Sequence, residues 1–194
     1  MASPSALSLA RLRAELGRNW LIALFGVAYA ISQITILVII EPLGSSLAKL
    51  QLLGFSAAEY LTVFRHWEET GAMSAYRAHF IFDDTHWLLY AGFFTAVLCR
   101  LFEIHRVPQR WNWVLVLPIV SGLLDHLENG LQHVFLSAHD FSTIVDPLPW
   151  ISTLASDLKW LVVATYALLS LVLVIRVPVV KRRYAARSPD ESAY

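Results

Sequence analysis

The chain has 194 residues, of which 57% are hydrophobic and only 15% are charged. Basic and acidic residues balance to a formal net charge of zero, and the mean hydropathy is +0.55. A soluble domain of this size carries fewer apolar residues and more charge. The composition therefore indicates an integral membrane protein, and the charge balance argues against a nucleic-acid-binding protein.

Four apolar stretches are each long enough to cross a hydrocarbon core about 30 Å thick as a helix. They predict spans at about 20–40, 82–104, 113–135 and 154–175. We therefore expect an all-α fold, with one four-helix transmembrane bundle over residues 1–194. The basic N-terminus leads into a full-length span without a small-residue cleavage site, so we expect no cleavable signal peptide.

The arginines and lysines predict the orientation of these spans. They cluster before the first span, between the second and third, and after the fourth, whereas residues 137–150 contain none. Because basic residues accumulate on the inner side, we expect both termini in the cytoplasm of a bacterial inner membrane. The basic tail over 177–194 is expected to contact anionic lipid headgroups and to fray towards its end.

The long first outer loop is predicted to contain an amphipathic helix over about 56–70. Ser56 and Glu59 have the spacing of a capping box, and Tyr60, Phe64 and Trp67 recur with helical periodicity. The placement of this helix stays open. It caps the bundle or covers a mouth between helices, or it rests in the headgroup region.

Asp125 lies inside the third span, roughly 18 Å from Trp113 at 1.5 Å per helical residue, and Gln33 reaches a similar depth on the first span. An aspartate near the centre of an inserting helix costs about 2.5–3.5 kcal/mol, so it needs a polar partner or a water-filled cavity. Lys159 on the fourth span is a candidate partner, although a lysine alone could also extend to the membrane surface.

The polar residues of all four spans collect in the outer half of the bundle, and the apolar cytoplasmic half disfavours a continuous ion pathway. Asp83, Asp84 and His86 have an alternative interpretation as solvated residues at a helix N-terminus. Pro118 and Gly122 would allow a kink or a close helix crossing just before the polar run. The candidate site residues are Gln33, Asp83, Asp84, His86, Trp87, Tyr90, Asp125, Glu128, Asn129, Gln132, His133, Ser156 and Lys159.

A resemblance is carried by Gly54-Phe55-Ser56, Tyr76-Arg77, Asp84, Asp125-x-x-Glu128-Asn129 and Ser156-x-x-Lys159. In this order of features the chain resembles a group of small bacterial four-span membrane proteins of unassigned function, which implies no particular activity. In topology alone it is similar to the emopamil-binding/sigma-2-receptor superfamily of sterol isomerases and lipophilic-ligand binders, whose acidic signature is not matched residue by residue.

One hypothesis is a protein that binds a lipophilic small molecule from the outer leaflet and converts it by isomerisation, cyclisation or epoxide opening. One carboxyl of Asp125 and Glu128 would act as general acid while the other stays ionised, with Asp84 and His133 as further acid/base groups. The remaining candidate residues would bind the substrate, with Lys159 setting the field or holding an anionic group. No cofactor is expected.

The other hypothesis is a non-catalytic structural or accessory subunit, whose polar stripe packs the chain's own helices together or binds a membrane-protein partner or a second copy of the chain. Proton-coupled transport and a metal site carry less weight. Asp125, Asn129 and His133 with Asp83 or His86 could approach a zinc ion, but no HExxH-type pattern is present, and we predict no metal.

Overall fold

The structure is a computed structural model that describes residues 4–138 and 140–185. Within these ranges the chain forms helices and turns, and no strand occurs. Short 3₁₀ helices at Glu41–Leu43, Gln109–Val116 and Phe141–Thr143 connect some of the α-helices. The α-helices are α1 (Pro4–Leu16), α2 (Asn19–Ile40), α3 (Ser45–Leu53), α4 (Ala57–Glu69), α5 (Met73–Ile104), α6 (Leu117–Ser137) and α7 (Leu148–Ala185).

Four helical stretches are long and apolar enough to cross a membrane, and they overlap the four predicted spans. They are Asn19–Leu43, Met73–Ile104, Gln109–Ser137 and Leu148–Val180. The prediction of an all-helical fold with four helices long and apolar enough to span a membrane is thus confirmed for the described residues. The predicted tail over 177–194 continues α7 as far as Ala185, and residues 186–194 lie outside the described part of the chain.

The second long helix begins at Met73 and not near residue 82, which corrects the expected helix start. Asp83, Asp84 and His86 therefore lie almost three turns or more inside α5, and the interpretation of these residues as a helix N-terminus is wrong. The helix continues through this polar stretch because its side chains find partners on neighbouring helices. His86, for example, is only 6% exposed.

The long helices are arranged with α6 between α5 and α7, while α2 packs along α5. The N-terminal α1, which the sequence analysis did not predict, lies against the end of α5. Arg13 fixes it there, because its guanidinium donates to Glu103 Oε1 at 2.5 Å, to the Val107 carbonyl at 2.9 Å and to Asn112 Oδ1 at 3.1 Å. Arg13 itself is only 8% exposed, so this contact closes one end of the bundle.

The predicted amphipathic helix is α4, and Ser56 caps it in a complete capping box with the glutamate three residues later. Its apolar face is formed by Tyr60, Phe64 and Trp67, which are buried in a cluster with Phe135 of α6. The apolar face of α4 thus packs against the bundle, next to the C-terminal part of α6.

Candidate functional site

A buried ion triad joins α6 and α7. Lys159 Nζ donates to Asp125 Oδ1 at 2.7 Å and to Glu128 Oε2 at 2.5 Å, and all three side chains are at most 8% exposed. Tyr90 on α5 also donates to the second oxygen of Asp125 at 3.4 Å. The predicted pairing of Lys159 with an acid of a neighbouring helix is therefore present. Two carboxylates against one ammonium leave this triad with a net charge of −1 when all three groups are ionised.

Gln132, one turn beyond Glu128, is held by three hydrogen bonds. Tyr76 donates to Gln132 Oε1 at 2.7 Å, while Nε2 of Gln132 donates to the Tyr60 hydroxyl at 2.8 Å and to Ser152 Oγ at 2.9 Å. Burial raises the pKa of the Tyr60 phenol, so this hydroxyl stays neutral. The amide of Gln132 thus joins α4, α5 and α7 to α6, and both of its N–H groups are used by protein partners.

Asn129 and His79 both approach the Asp83 carboxyl. Asn129 Nδ2 donates to Asp83 Oδ2 at 3.0 Å, and His79 Nε2 lies 4.0 Å from the same oxygen. The other ring nitrogen of His79 is hydrogen-bonded to the Tyr76 carbonyl in the preceding turn of α5. The Asn129 amide is therefore directed to a neighbouring helix.

His86 connects α5 to α2. Its Nδ1 lies 2.9 Å from Ser32 Oγ, and its Nε2 lies 3.2 Å from Gln33 Oε1. With the amide oxygen of Gln33 so placed, Nε2 donates to it, while Nδ1 is hydrogen-bonded to the serine hydroxyl. Both ring nitrogens of His86 are thus satisfied by protein groups, which leaves no free position for a proton relay.

Two of the four predicted catalytic residues, Asp84 and His133, lie apart from the triad. His133 Nε2 is 3.0 Å from both carboxyl oxygens of Asp84, and their side chains are 49% and 43% exposed. Trp87 also faces away from the triad, since its ring packs at Gly122 and near His126 of α6. The structure therefore divides the predicted site into an interior cluster and an exposed pair.

A cavity of about 430 Å³ lies between α2 and α7, and α5 forms much of its wall. Asp83, Asp125 and Lys159 are the residues of the lining with charged side chains other than histidine. From Asp83 the cavity continues along α5 to Phe94, eleven residues or about 16 Å further, among mainly apolar and aromatic side chains. The full lining is Tyr29, Gln33, Ile36, Leu37, Ile40, Leu47, Gln51, His79, Asp83, His86, Tyr90, Phe94, Asp125, Lys159, Trp160, Val163, Tyr166 and Ala167.

About half of the predicted site residues line the cavity. Gln33, Asp83, His86, Tyr90, Asp125 and Lys159 line it, whereas Asp84, Trp87, Glu128, Asn129, Gln132, His133 and Ser156 do not. Sequence analysis did not assign His79, Tyr29 or Tyr166 to the site. Helical register could have found two of them, because His79 precedes Asp83 by four residues and Tyr166 follows Lys159 by seven.

Over residues 4–138 and 140–185, no group of three or more His, Cys, Asp and Glu side chains is arranged to hold a metal ion. The residues of the weak metal pattern are not brought together, since the ring of His133 faces Asp84 on the exposed side of α6.

No protein-family model matches the chain, and neither a curated protein nor a solved structure matches it. The function has to be inferred from the cavity and its charges.

Proposed function

We propose that this chain is an integral membrane protein that binds a lipophilic small molecule in the cavity between α2 and α7 and converts it by acid/base chemistry. The observation that carries the proposal is the placement of Asp125 and Lys159 in the wall of an otherwise largely apolar cavity. A volume of about 430 Å³ falls within the range of small-molecule sites, which are mostly apolar with a few convergent polar groups.

The exposed part of the lining supports access from the bilayer. Leu37 on α2 and Trp160 on α7 both line the cavity and are 54% and 50% exposed. Because both residues belong to helices long and apolar enough to span a membrane, their exposed surface would face lipid. A lipophilic ligand would then enter sideways between α2 and α7 without passing through water.

Asp125 is the member of the triad best placed for proton transfer. Asp125 is a lining residue of the cavity, whereas Glu128 is not and is 2% exposed. Lys159 stabilises a negative charge on either carboxyl, and the Tyr90 hydroxyl supports the second oxygen of Asp125. Such a group could deliver or remove the proton that an isomerisation, a cyclisation or an epoxide opening requires.

The proposal includes the orientation expected from the basic residues. Both termini lie in the cytoplasm, and α4, the polar cluster and the 137–150 connection lie towards the outer side of a bacterial inner membrane. The ligand would then come from the outer leaflet.

The experiment is native mass spectrometry with lipid extraction on gently purified wild type, Asp125→Asn and Asp84→Asn proteins. Asn is nearly isosteric with Asp, and Asp84 serves as a matched control because it lies on α5 outside the cavity lining. We expect a lipophilic molecule to co-purify with wild type and with Asp84→Asn, and to be lost from folded Asp125→Asn. Retention of the molecule by all three proteins would contradict a role for Asp125 in the site.

A second candidate function, that of an accessory subunit, is favoured by the exposed pair of Asp84 and His133. Both residues lie on helices apolar enough to span a membrane, and ionisable groups at lipid-facing positions usually have a protein partner. In this case wild type yields no small molecule, and Asp84→Asn is the variant that loses a co-purifying protein.

A further inference from the structure

His79 and Asp83 form a second polar pair in the cavity wall, one turn apart on α5. A backbone carbonyl only accepts hydrogen bonds, so the contact with the Tyr76 carbonyl fixes the hydrogen of His79 on Nδ1. The remaining nitrogen, Nε2, faces the Asp83 carboxyl across 4.0 Å. This separation is too long for a direct hydrogen bond and leaves room for an atom between the two groups.

The charges around this pair favour one proton on it. Asp125 and Glu128 from α6 and Lys159 from α7 act electrostatically on Asp83, and the exposed pair of Asp84 and His133 acts on His79. The first three groups carry a net charge of −1 when ionised. With neutral His79 and ionised Asp83, the cluster would hold −2 in a buried setting, and the Nε2 lone pair would face a carboxylate. One added proton, either on Nε2 or on the carboxyl, relieves both problems.

Either position of this proton gives the pair the same hydrogen-bonding character. Protonated His79 donates from Nε2 while Asp83 accepts, and protonated Asp83 donates while Nε2 accepts. Two other ionisable groups of the lining are held by protein partners: His86 by Ser32 and Gln33, and Lys159 by its two carboxyls. Asp83 Oδ2 accepts from Asn129 as well, and this leaves the oxygen a further lone pair for a ligand.

We propose that His79 and Asp83 are the ligand-binding pair and that they recognise a hydroxyl group on the lipophilic molecule, an inference that rests on the proposed function. An oxygen about 2.8 Å from both groups would complete a triangle over the 4.0 Å gap with an angle of about 90° at the oxygen, which is close to hydroxyl geometry. A hydroxyl donates one hydrogen bond and accepts another, which matches the one donor and one acceptor of this pair. An ether cannot donate, and an ammonium requires two acceptors. The hydrocarbon part then runs along α5 towards Phe94.

The test compares three probes with one alkyl chain: 1-dodecanol, its methyl ether and dodecylamine. Binding is measured by calorimetry on full-length protein in lipid nanodiscs, with empty nanodiscs as the partitioning blank. We expect wild type to bind the alcohol about tenfold or more tightly than the ether, the effect of one lost hydrogen bond to a charged or buried group. His79→Phe keeps a ring of similar size and is expected to lose this preference. His133→Phe makes the same change outside the cavity and should retain it.

The outcomes separate this inference from the function on which it rests. Equal binding of alcohol and ether by wild type overturns the hydroxyl site but leaves a lipophile-binding cavity, and so does tightest binding of the amine. A failure of all three probes to bind contradicts the proposed function itself. A preference for the alcohol that survives in His79→Phe assigns the hydroxyl to other residues and overturns the role of this pair.

A second readout does not depend on the folding of a variant. In ¹⁵N-histidine spectra of wild type, the contacts of the two rings predict a hydrogen on Nδ1 of His79 and on Nε2 of His86, which distinguishes them. Addition of 1-dodecanol is expected to shift Nε2 of the buried Nδ1-protonated ring, and the methyl ether is not. Identical spectra with both probes would contradict the proposal.

Discussion

At the scale of single residues, Lys159 is the cation that pairs with two buried carboxylates. It is 7% exposed, and its ammonium is hydrogen-bonded to the carboxylates of both Asp125 and Glu128. Removing one partner of a buried ion pair costs more than removing all of them, because an unpaired charge then stays in a poorly solvated interior. The triad therefore couples α6 to α7 strongly while it is complete.

We predict that Lys159→Met destabilises the protein by about 3–5 kcal/mol, the usual cost of an uncompensated buried charge. The change is measured as the free energy of unfolding in a denaturing-detergent titration. Lys49→Met, at an exposed lysine of α3, is the matched control and should be nearly neutral.

The triple variant Lys159→Met, Asp125→Asn, Glu128→Gln tests the cause, since it removes the charges together. It should be clearly more stable than Lys159→Met alone. If both proteins unfold alike, packing and not charge accounts for the loss.

The contact between Asp125 and Lys159 was predictable from the sequence. Depth and helical spacing pointed to Asp125 and Lys159 as buried partners, because a charge inside a span must be neutralised locally. The partners of Gln132 could not be predicted in this way. Tyr76 is 56 positions and Tyr60 is 72 positions away in the chain, and only the packing of α4 and α5 on α6 brings them together.

At the scale of helices, α4 depends on both its cap and its aromatic face. Ser56 accepts from the Glu59 amide, while the Glu59 carboxylate accepts from the Ser56 amide. We predict that Ser56→Ala lowers the free energy of unfolding by about 1 kcal/mol, as the loss of an N-cap does elsewhere. Ser137→Ala is the control, because that exposed serine at the end of α6 bonds only to its own helix. Equal effects of the two changes would contradict a capping role.

The contact between α5 and α6 depends on Gly122. A Cβ atom at this position would lie 2.6 Å from the Trp87 ring, too close for the ring to stay in place. We predict that Gly122→Ala destabilises the protein by about 1–3 kcal/mol through this overpacking. Gly130 is a matched control in the same helix, since nothing lies within 4 Å of its would-be Cβ. Gly130→Ala should be neutral or stabilising by up to about 1 kcal/mol, and a similar loss in both variants would refute the packing argument.

The bounds of the helices were less predictable than their existence. Hydropathy placed the start of the second span near residue 82, but α5 begins at Met73, because His79 and Asp83 are accommodated inside the bundle. Conversely, the third span was expected to be α-helical from Trp113, but the 3₁₀ segment Gln109–Val116 precedes α6. Apolar length detects a span, whereas its ends depend on which polar groups find tertiary partners.

At the scale of the whole molecule, the cavity results from unequal packing of the four long helices. α5, α6 and α7 pack against one another, while α2 packs along α5 and leaves a gap towards α7. Apolar length predicted the number of long helices correctly. It could not predict this gap, because α2 is apolar on most of its surface and so carries no signal for the side on which it meets its neighbours.

The proposed orientation makes a prediction for opposite ends of α6. Arg110 precedes this helix and Ser142 follows it, and both are exposed, so the membrane must separate them if α6 crosses it. Because the basic connection is expected on the inner side, we predict that Ser142→Cys reacts with a membrane-impermeant maleimide in intact cells after outer-membrane permeabilisation. Arg110→Cys should react only once the inner membrane is lysed. The native Cys99 is buried, so we expect no labelling of it, and the wild-type protein is the control for this expectation. The reverse labelling pattern would place the cavity's polar cluster on the cytoplasmic side, and the ligand would then have to come from the inner leaflet.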